Sequence, residues 1–178
     1  AISLENTHNL CNGMPLTSAY TSSVAEIAHN EDLKLHIDGA RIFNAAVALN
    51  VDVKELVNYA DSITFCLSKG LAAPIGSVIC GSEKFIYNAR RMRKALGGGM
   101  RQAGIIASAG IYSLDNMVDQ IKQDHKNTQR LAEGINNIDG LSVEVNNIKT
   151  NILYFNIDCG FDRSDELAHQ TKNIYSFP

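Results

Sequence analysis

The chain has 178 residues, a length that fits one domain of ordinary size or one domain with part of another. Hydrophobic residues make up 45% of it and charged residues 20%, a globular composition that excludes a wholly disordered chain. The net charge is −3, from 16 Lys plus Arg against 19 Asp plus Glu. Nucleic-acid binding needs an excess of positive charge, so we expect no nucleic-acid partner.

Cysteine and hydrophobic patterns favour a cytoplasmic protein. The four cysteines form no Cys-x-x-Cys pair, so we expect reduced thiols and neither a disulfide framework nor a bound metal. They are Cys11, Cys66, Cys80 and Cys159. The longest aliphatic stretch, 45–49, is far shorter than the about 20 residues that span a bilayer, so no membrane partner is expected.

The first residues have the pattern of a strand in the middle of a sheet. Residues 1–5 read Ala-Ile-Ser-Leu-Glu, and the first residue is not Met. We therefore expect the chain to be a piece of a longer protein.

Residues 33–68 have the pattern of a βαβ unit. Alternation of apolar and polar residues predicts a strand at 33–37, and an apolar run predicts a second strand at 62–68. Two helical segments are predicted between them, at 40–49 and at 53–59 with Asp52 as N-cap.

Two polar residues follow the strands of this unit. Asp38 comes directly after the first strand and Lys69 directly after the second. Because parallel strands end at one edge of a sheet, both side chains are predicted on one rim, where open α/β sheets bind ligands.

The next apolar run, 76–81, predicts a strand of opposite direction. Only six residues, 70–75, lie between Lys69 and this run, whereas a parallel crossover needs about a dozen. The sheet is therefore predicted to be mixed. The basic run 84–94 that follows favours a solvated helix face.

The remaining chain divides into a long helix and a small domain. Ile111, Leu114, Val118 and Ile121 recur at intervals of three and four, which predicts one helix over 103–135. Strand patterns at 141–145 and 152–157 then predict a small α+β domain. We expect three parts: half of a large domain at 1–102, the connecting helix at 103–135, and the start of the small domain at 136–178.

Lys69 and Asp38 together suggest cofactor chemistry. A lysine amine at a sheet rim, partly desolvated, forms a Schiff base with an aldehyde such as pyridoxal phosphate (PLP). A carboxylate on the neighbouring strand keeps the pyridine nitrogen of PLP protonated. Each residue also has a plainer interpretation, Lys69 as a surface lysine in a turn and Asp38 as a helix cap.

Four segments, in order along the chain, resemble the low-specificity L-threonine aldolases, which are fold-type I PLP enzymes. They are Glu-Asn-Thr-His-Asn at 5–9, Asp-Gly-Ala-Arg at 38–41, Leu-Ser-Lys-Gly at 67–70 and Gly-Gly-Gly-Met-Arg-Gln at 97–102. The resemblance implies an α/β fold, namely the back half of a fold-type I large domain and the start of a small one. Members of this family are longer at both ends.

The resemblance also implies roles for five residues. Lys69 would carry PLP and Asp38 would face the pyridine nitrogen. Arg41 would hydrogen-bond the cofactor or substrate, and Arg101 would meet the cofactor phosphate, acting across a dimer interface. His8 would lie near the substrate hydroxyl, from which a proton must be removed. The other histidines are expected to be hydrogen-bonded loop residues: His29, His36, His125 and His169.

The implied activity is cleavage of L-threonine or L-allo-threonine to glycine and acetaldehyde by a homo-oligomer, a dimer or a dimer of dimers. This places the protein in threonine catabolism and glycine biosynthesis. We expect the intact protein to be active and the 178-residue chain alone to be inactive. Two alternatives stay open: another fold-type I lyase or hydroxymethyltransferase that acts on β-hydroxy amino acids, and a non-catalytic truncated paralogue that serves as a binding partner.

Overall fold

A computed structural model describes residues 1–157 and contains a four-stranded sheet, a two-stranded sheet and six helices. The strands are β1 Ile2–Glu5, β2 Leu35–Asp38, β3 Ser62–Cys66, β4 Ser77–Gly81, β5 Leu141–Ser142 and β6 Asn156–Ile157. The helices are α1 Ser18–Asn30, α2 Ile42–Leu49, α3 Val53–Val57, α4 Glu83–Ala95, α5 Gly104–Asn116 and α6 Ile121–Ile135.

The larger sheet has the order β1-β2-β3-β4. The first three strands are parallel and β4 is antiparallel to β3, so the predicted mixed sheet is confirmed. Glu5 lies opposite Asp38, and Asp38 lies opposite Thr64, so the carboxyl ends of the parallel strands are level.

The predicted βαβ unit is confirmed in β2, α2, α3 and β3. Asn50 caps the C-terminus of α2 and has the left-handed conformation. Helix α3 begins with a capping box formed by Asp52 and Glu55. The apolar faces of both helices share one core, which contains Ile42 and Leu56 at 1% exposure. This core supports β3 on the side of α2 and α3, and Lys69 lies on the loop that follows β3.

The prediction of one helix over 103–135 is wrong, because α5 and α6 are separated by a turn at 117–120. In that turn the amide of Gln120 bonds three residues back to Met117, in place of the four-residue step of an α-helix. The Asn116 side chain also donates from Nδ2 to the Tyr112 carbonyl. The bend brings Val118 and the fully buried Ile121 against the core.

The strands of the small unit after α6 are shorter than the sequence pattern predicts. Strands β5 and β6 have two residues each and pair antiparallel. The Asn136 side chain bonds both backbone groups of Val143, and a 3-10 turn follows at Val145–Asn147. These bonds replace the pairing that a longer strand would make. The unit buries Val143 and Ile148 against Ala132 of α6.

The predicted basic surface on α4 is confirmed, since none of its residues is buried. Three cysteines, Cys11, Cys66 and Cys80, are free thiols. Within residues 1–157, no helix has the length and apolar character to span a bilayer. The expectations for Cys159, for His169 and for the small domain beyond 157 lie outside the described residues.

Asp61 joins the amino ends of β2 and β3, at the sheet edge opposite the predicted rim. Its carboxylate accepts hydrogen bonds from Lys34 Nζ at 2.8 Å, and from His29 Nε2 and the Leu35 amide at 2.9 Å each. The bond from Lys34 is the largest influence, and with the Leu35 and His29 bonds it outweighs partial burial and holds the pKa of Asp61 well below its usual range.

We expect Asp61→Asn to lower the free energy of unfolding by about 1–2 kcal/mol at pH 7, since charged hydrogen bonds are lost but Lys34 is exposed and screened. Because the pKa of the folded state is lowered, this contribution is present above the ordinary value of 3.8 and falls as the pH is lowered further. Urea unfolding at pH 7 and pH 3 measures it, with the exposed Asp115→Asn as control. An equal effect at both pH values would contradict the assignment.

Candidate functional site

The carboxyl ends of β1, β2 and β3 bring four of the five predicted site residues to one edge of the sheet. His8 follows β1, Asp38 ends β2, Arg41 lies at the start of α2, and Lys69 follows β3. Arg101 lies elsewhere, between α4 and α5, and no hydrogen bond or ion pair joins it to the other four within residues 1–157.

Asp38 is half-buried and held by its own turn. Its Oδ1 accepts a hydrogen bond from the Ala40 amide at 3.0 Å. The turn passes close to β3, because a Cβ on Gly39 would lie 3.0 Å from the Thr64 carbonyl oxygen. The Gly39 amide donates to that same oxygen at 2.8 Å. The Asp38 side chain thus closes a local turn before α2 and is not the helix cap of the plainer interpretation, since α2 follows Arg41 without a side-chain cap. The Asp38 Oδ2 has no hydrogen-bond donor within the described part of the chain.

Lys69 lies on a loop with buried apolar anchors. Leu67 and Leu71, at 7% and 2% exposure, pack into the core on either side of it. The Ala73 amide bonds to the Leu67 carbonyl at 3.0 Å, and the Ala72 amide bonds to the Lys69 carbonyl at 2.9 Å. The expected partial desolvation of Lys69 is not observed, since the residue is exposed. It forms no ion pair among residues 1–157.

His8 caps a 3-10 turn at Asn9–Cys11. Its Nδ1 accepts a hydrogen bond from the Leu10 amide at 3.1 Å, so the neutral ring carries its proton on Nε2. That nitrogen lies 3.2 Å from Glu5 Oε2. Both ring nitrogens therefore have partners, and a role as a base requires Nδ1 to exchange the Leu10 amide for another donor.

The two arginines differ in their surroundings. Arg41 is half-buried, and its carbonyl accepts from the amides of Asn44 and Ala45 in the first turn of α2. Arg101 is exposed and follows the glycines at 97–99, of which Gly97 has a φ of +84°. Neither side chain forms an ion pair within residues 1–157.

A groove of about 660 Å³ lies away from this edge, between α2, α3 and α6. Phe43, Val47, Val118 and Lys122 line it, and none of the five predicted residues does. Its walls are apolar side chains and surface polar groups, without a cluster of reactive groups. The rim at the carboxyl edge is the better candidate site because four of the five predicted residues follow strands or begin a helix there.

One buried polar residue near the rim is absent from the predicted set. Asn44, at 1% exposure, donates from Nδ2 to His125 Nε2 at 3.2 Å and to Asn151 Oδ1 at 3.1 Å. A Cβ on Gly70, next to Lys69, would lie 2.6 Å from its Oδ1. A single Asn in an otherwise apolar helix is the signal that sequence reasoning passed over.

The expected hydrogen bonding of the other histidines is confirmed for the three described ones, but none lies in a loop. His29 in α1 bonds to Asp61, His36 in β2 bonds to Ser62, and His125 in α6 bonds to Asn44. Burial lowers the pKa of His125 from its ordinary value of 6.5, although the charge of Asp124 opposes the shift.

The architecture is that of the fold-type I class of PLP enzymes. It superposes with a TM-score of 0.77 on a protein from Exiguobacterium sp. 255-15, provisionally assigned as an aromatic amino acid beta-eliminating lyase/threonine aldolase. That match covers 86% of this chain and 43% of the other. The identity is 23%, so the likeness concerns the fold alone.

The profile of the beta-eliminating lyase family matches residues 1–158, and the chain belongs to that family. The low-specificity L-threonine aldolase 1 of Arabidopsis thaliana is 48% identical over 159 residues, 89% of this chain. The low specificity L-threonine aldolase of Escherichia coli strain K12 is 50% identical over 132 residues, 74% of this chain. These matches confirm the predicted resemblance. The chain spans 44% and 39% of the lengths of these two relatives.

His125, beside Asn44, makes the stability of the folded chain depend on pH. His125 must be neutral to accept the Asn44 amide, and its folded-state pKa is lowered, so the unfolded state binds more protons below the ordinary value of 6.5. We therefore expect stability to fall as the pH decreases from 7.5 to 5, with a slope of at most about 1.4 kcal/mol per pH unit from this group.

The variant His125→Gln keeps an acceptor for Asn44 but does not titrate. Urea unfolding at several pH values should therefore show a shallower decrease for the variant than for the parent chain. Parallel stability curves would contradict a buried, neutral His125.

Proposed function

We propose that the full-length protein is a PLP-dependent aldolase that cleaves L-threonine or L-allo-threonine to glycine and acetaldehyde. The observation that supports this proposal is that Asp38 ends β2 while Lys69 lies on the loop after the neighbouring parallel strand β3, in a chain of this family. Threonine aldolases about 50% identical to the chain support the substrate class.

The described residues fit PLP. The amine of Lys69 and one carboxylate oxygen of Asp38 have no partners within residues 1–157, and both lie on the rim. PLP, when bound, supplies an electron sink that accepts the pair released as the Cα–Cβ bond of the substrate breaks. Lys69 would hold the cofactor covalently, and Asp38 would keep a proton on the pyridine nitrogen. Arg41 would bind the cofactor or the substrate carboxylate.

His8 would act on the substrate hydroxyl. Its Nδ1 is the unprotonated nitrogen and would accept the hydroxyl proton in place of the Leu10 amide. Glu5, beside Nε2, would stabilise the charge that the ring then carries. The Glu5 contact supports His8 as the base once Nδ1 has exchanged the Leu10 amide for the hydroxyl.

We also propose a homo-oligomer in the cytoplasm, working in threonine catabolism and glycine formation. The exposed Arg101 after three glycines supports contact with the cofactor phosphate of a neighbouring subunit. The free thiols Cys11, Cys66 and Cys80 support a reducing compartment. The 178-residue chain alone is proposed to lack activity, since Lys69 is open to water in it.

Lys69 is the test of the function. Borohydride treatment of the full-length protein with PLP should attach the cofactor to the peptide that contains Lys69. Lys69→Ala should abolish the attachment and lower acetaldehyde release, read by a coupled dehydrogenase, by ~10²-fold or more. Lys84→Ala, which removes an exposed lysine of α4, is the matched control and should change neither. Attachment to another lysine, or an inactive parent protein, would overturn the proposal.

Asp38→Asn should separate cofactor binding from turnover. Asn keeps an oxygen for the Ala40 amide, so the turn is retained, but a neutral amide does not hold the pyridine proton. We expect PLP to bind and turnover to fall by ~10²-fold. Absorbance titration and the acetaldehyde assay measure the two effects. Near-normal turnover would show that Asp38 serves only the turn that it forms with Ala40.

A further inference from the structure

Two adjacent residues of the small unit, Thr150 and Asn151, reach two different loops of the candidate site. Thr150 is fully buried, and its hydroxyl donates to the Gly13 carbonyl at 2.9 Å across 137 residues of sequence. The Gly13 amide in turn donates to the His8 carbonyl at 3.0 Å, which closes the turn that begins at His8. A side chain on Gly13 would collide with the Thr150 hydroxyl.

Asn151 reaches the second loop through Asn44. Its Oδ1 accepts one proton of the Asn44 amide, while the other proton goes to His125. The Oδ1 of Asn44 fills the space beside Gly70 that a methyl group would otherwise occupy. Since Gly70 does not have a left-handed φ, this space is the reason for glycine here.

We propose that Thr150 and Asn151 form a positioning link, which holds the His8 turn and the Lys69 loop in a fixed relation. Apolar contacts alone permit small sliding movements, whereas buried hydrogen bonds are directional and costly to leave unmade. The catalytic consequence rests on the proposed function, because it matters only if His8 and Lys69 act on one substrate. Neither residue of the link is proposed to touch the substrate.

Hydrogen exchange tests each half of the link in the full chain. Thr150→Val removes the hydroxyl at nearly constant shape, and we expect amides in 8–14 to exchange about tenfold faster, the effect of one lost hydrogen bond, with 67–73 unchanged. Asn151→Ala should give the converse pattern. Thr150→Ser should restore parent exchange.

Thr128→Val is the matched control, because the Thr128 hydroxyl bonds only within α6, to the Asp124 carbonyl. It should leave both loops unchanged. Equal acceleration throughout the chain in the two link variants, or no change in either loop, would overturn the proposal.

A double-mutant cycle at Gly70 keeps the test decisive if a link variant folds poorly. Gly70→Ala should reduce stability in the parent chain, because the new methyl group displaces the Asn44 amide, and should cost little in an Asn44→Ala background. Gly134→Ala, where nothing lies within 4 Å, is the control and should be neutral or stabilising. An equal cost of Gly70→Ala in both backgrounds would overturn the contact between this loop and Asn44.

Turnover of the full-length protein tests the catalytic consequence. Thr150→Val and Asn151→Ala should lower kcat by roughly 10-fold to 100-fold with little change in KM, as small displacements of reacting groups do. If exchange follows the expected pattern but kcat is unchanged, the link does not position the reacting groups and the proposal fails. If the parent protein has no aldolase activity, the proposed function fails. The exchange pattern alone then decides whether Thr150 and Asn151 position the two loops.

Discussion

Parallel pairing of β1, β2 and β3 is the constraint on which the candidate site depends. All three strands end at the same edge, and their register places Glu5, Asp38 and Thr64 side by side. A slip of one residue would turn Asp38 to the other face of the sheet. The Asp61 carboxylate, bonded to the Leu35 amide, fixes that register from the opposite edge. Site geometry and sheet stability are therefore set by the same pairing.

Several candidate groups already have structural partners. Asp38 uses one oxygen for its turn, and His8 uses Nδ1 for the 3-10 turn that it caps. Such bonds restrict the rotamers of these side chains before a ligand arrives, which lowers the entropy lost on binding. The structural and catalytic interpretations of these residues are thus compatible, because each bond leaves a second atom or an exchangeable contact for chemistry.

Local patterns predicted the strands and capped helices, because their causes lie within a few residues: alternation for β2, and the Asp52 cap for α3. The break between α5 and α6 was missed because the apolar spacing continues through it, while the core that draws Val118 inward comes from distant segments. Asn44 and Thr150 were missed for a related reason. Their partners lie 107 and 137 residues away, and nothing in the local spacing encodes such pairs.

These separations have a consequence for folding. A contact across 137 residues closes a very large loop, and the entropy of that closure is lost before the bond contributes. The sheet and its crossover helices rest mainly on shorter separations and can form first. The contacts that Thr150 and Asn151 make with Gly13 and Asn44 therefore depend on a later part of the chain than the sheet that forms the rim.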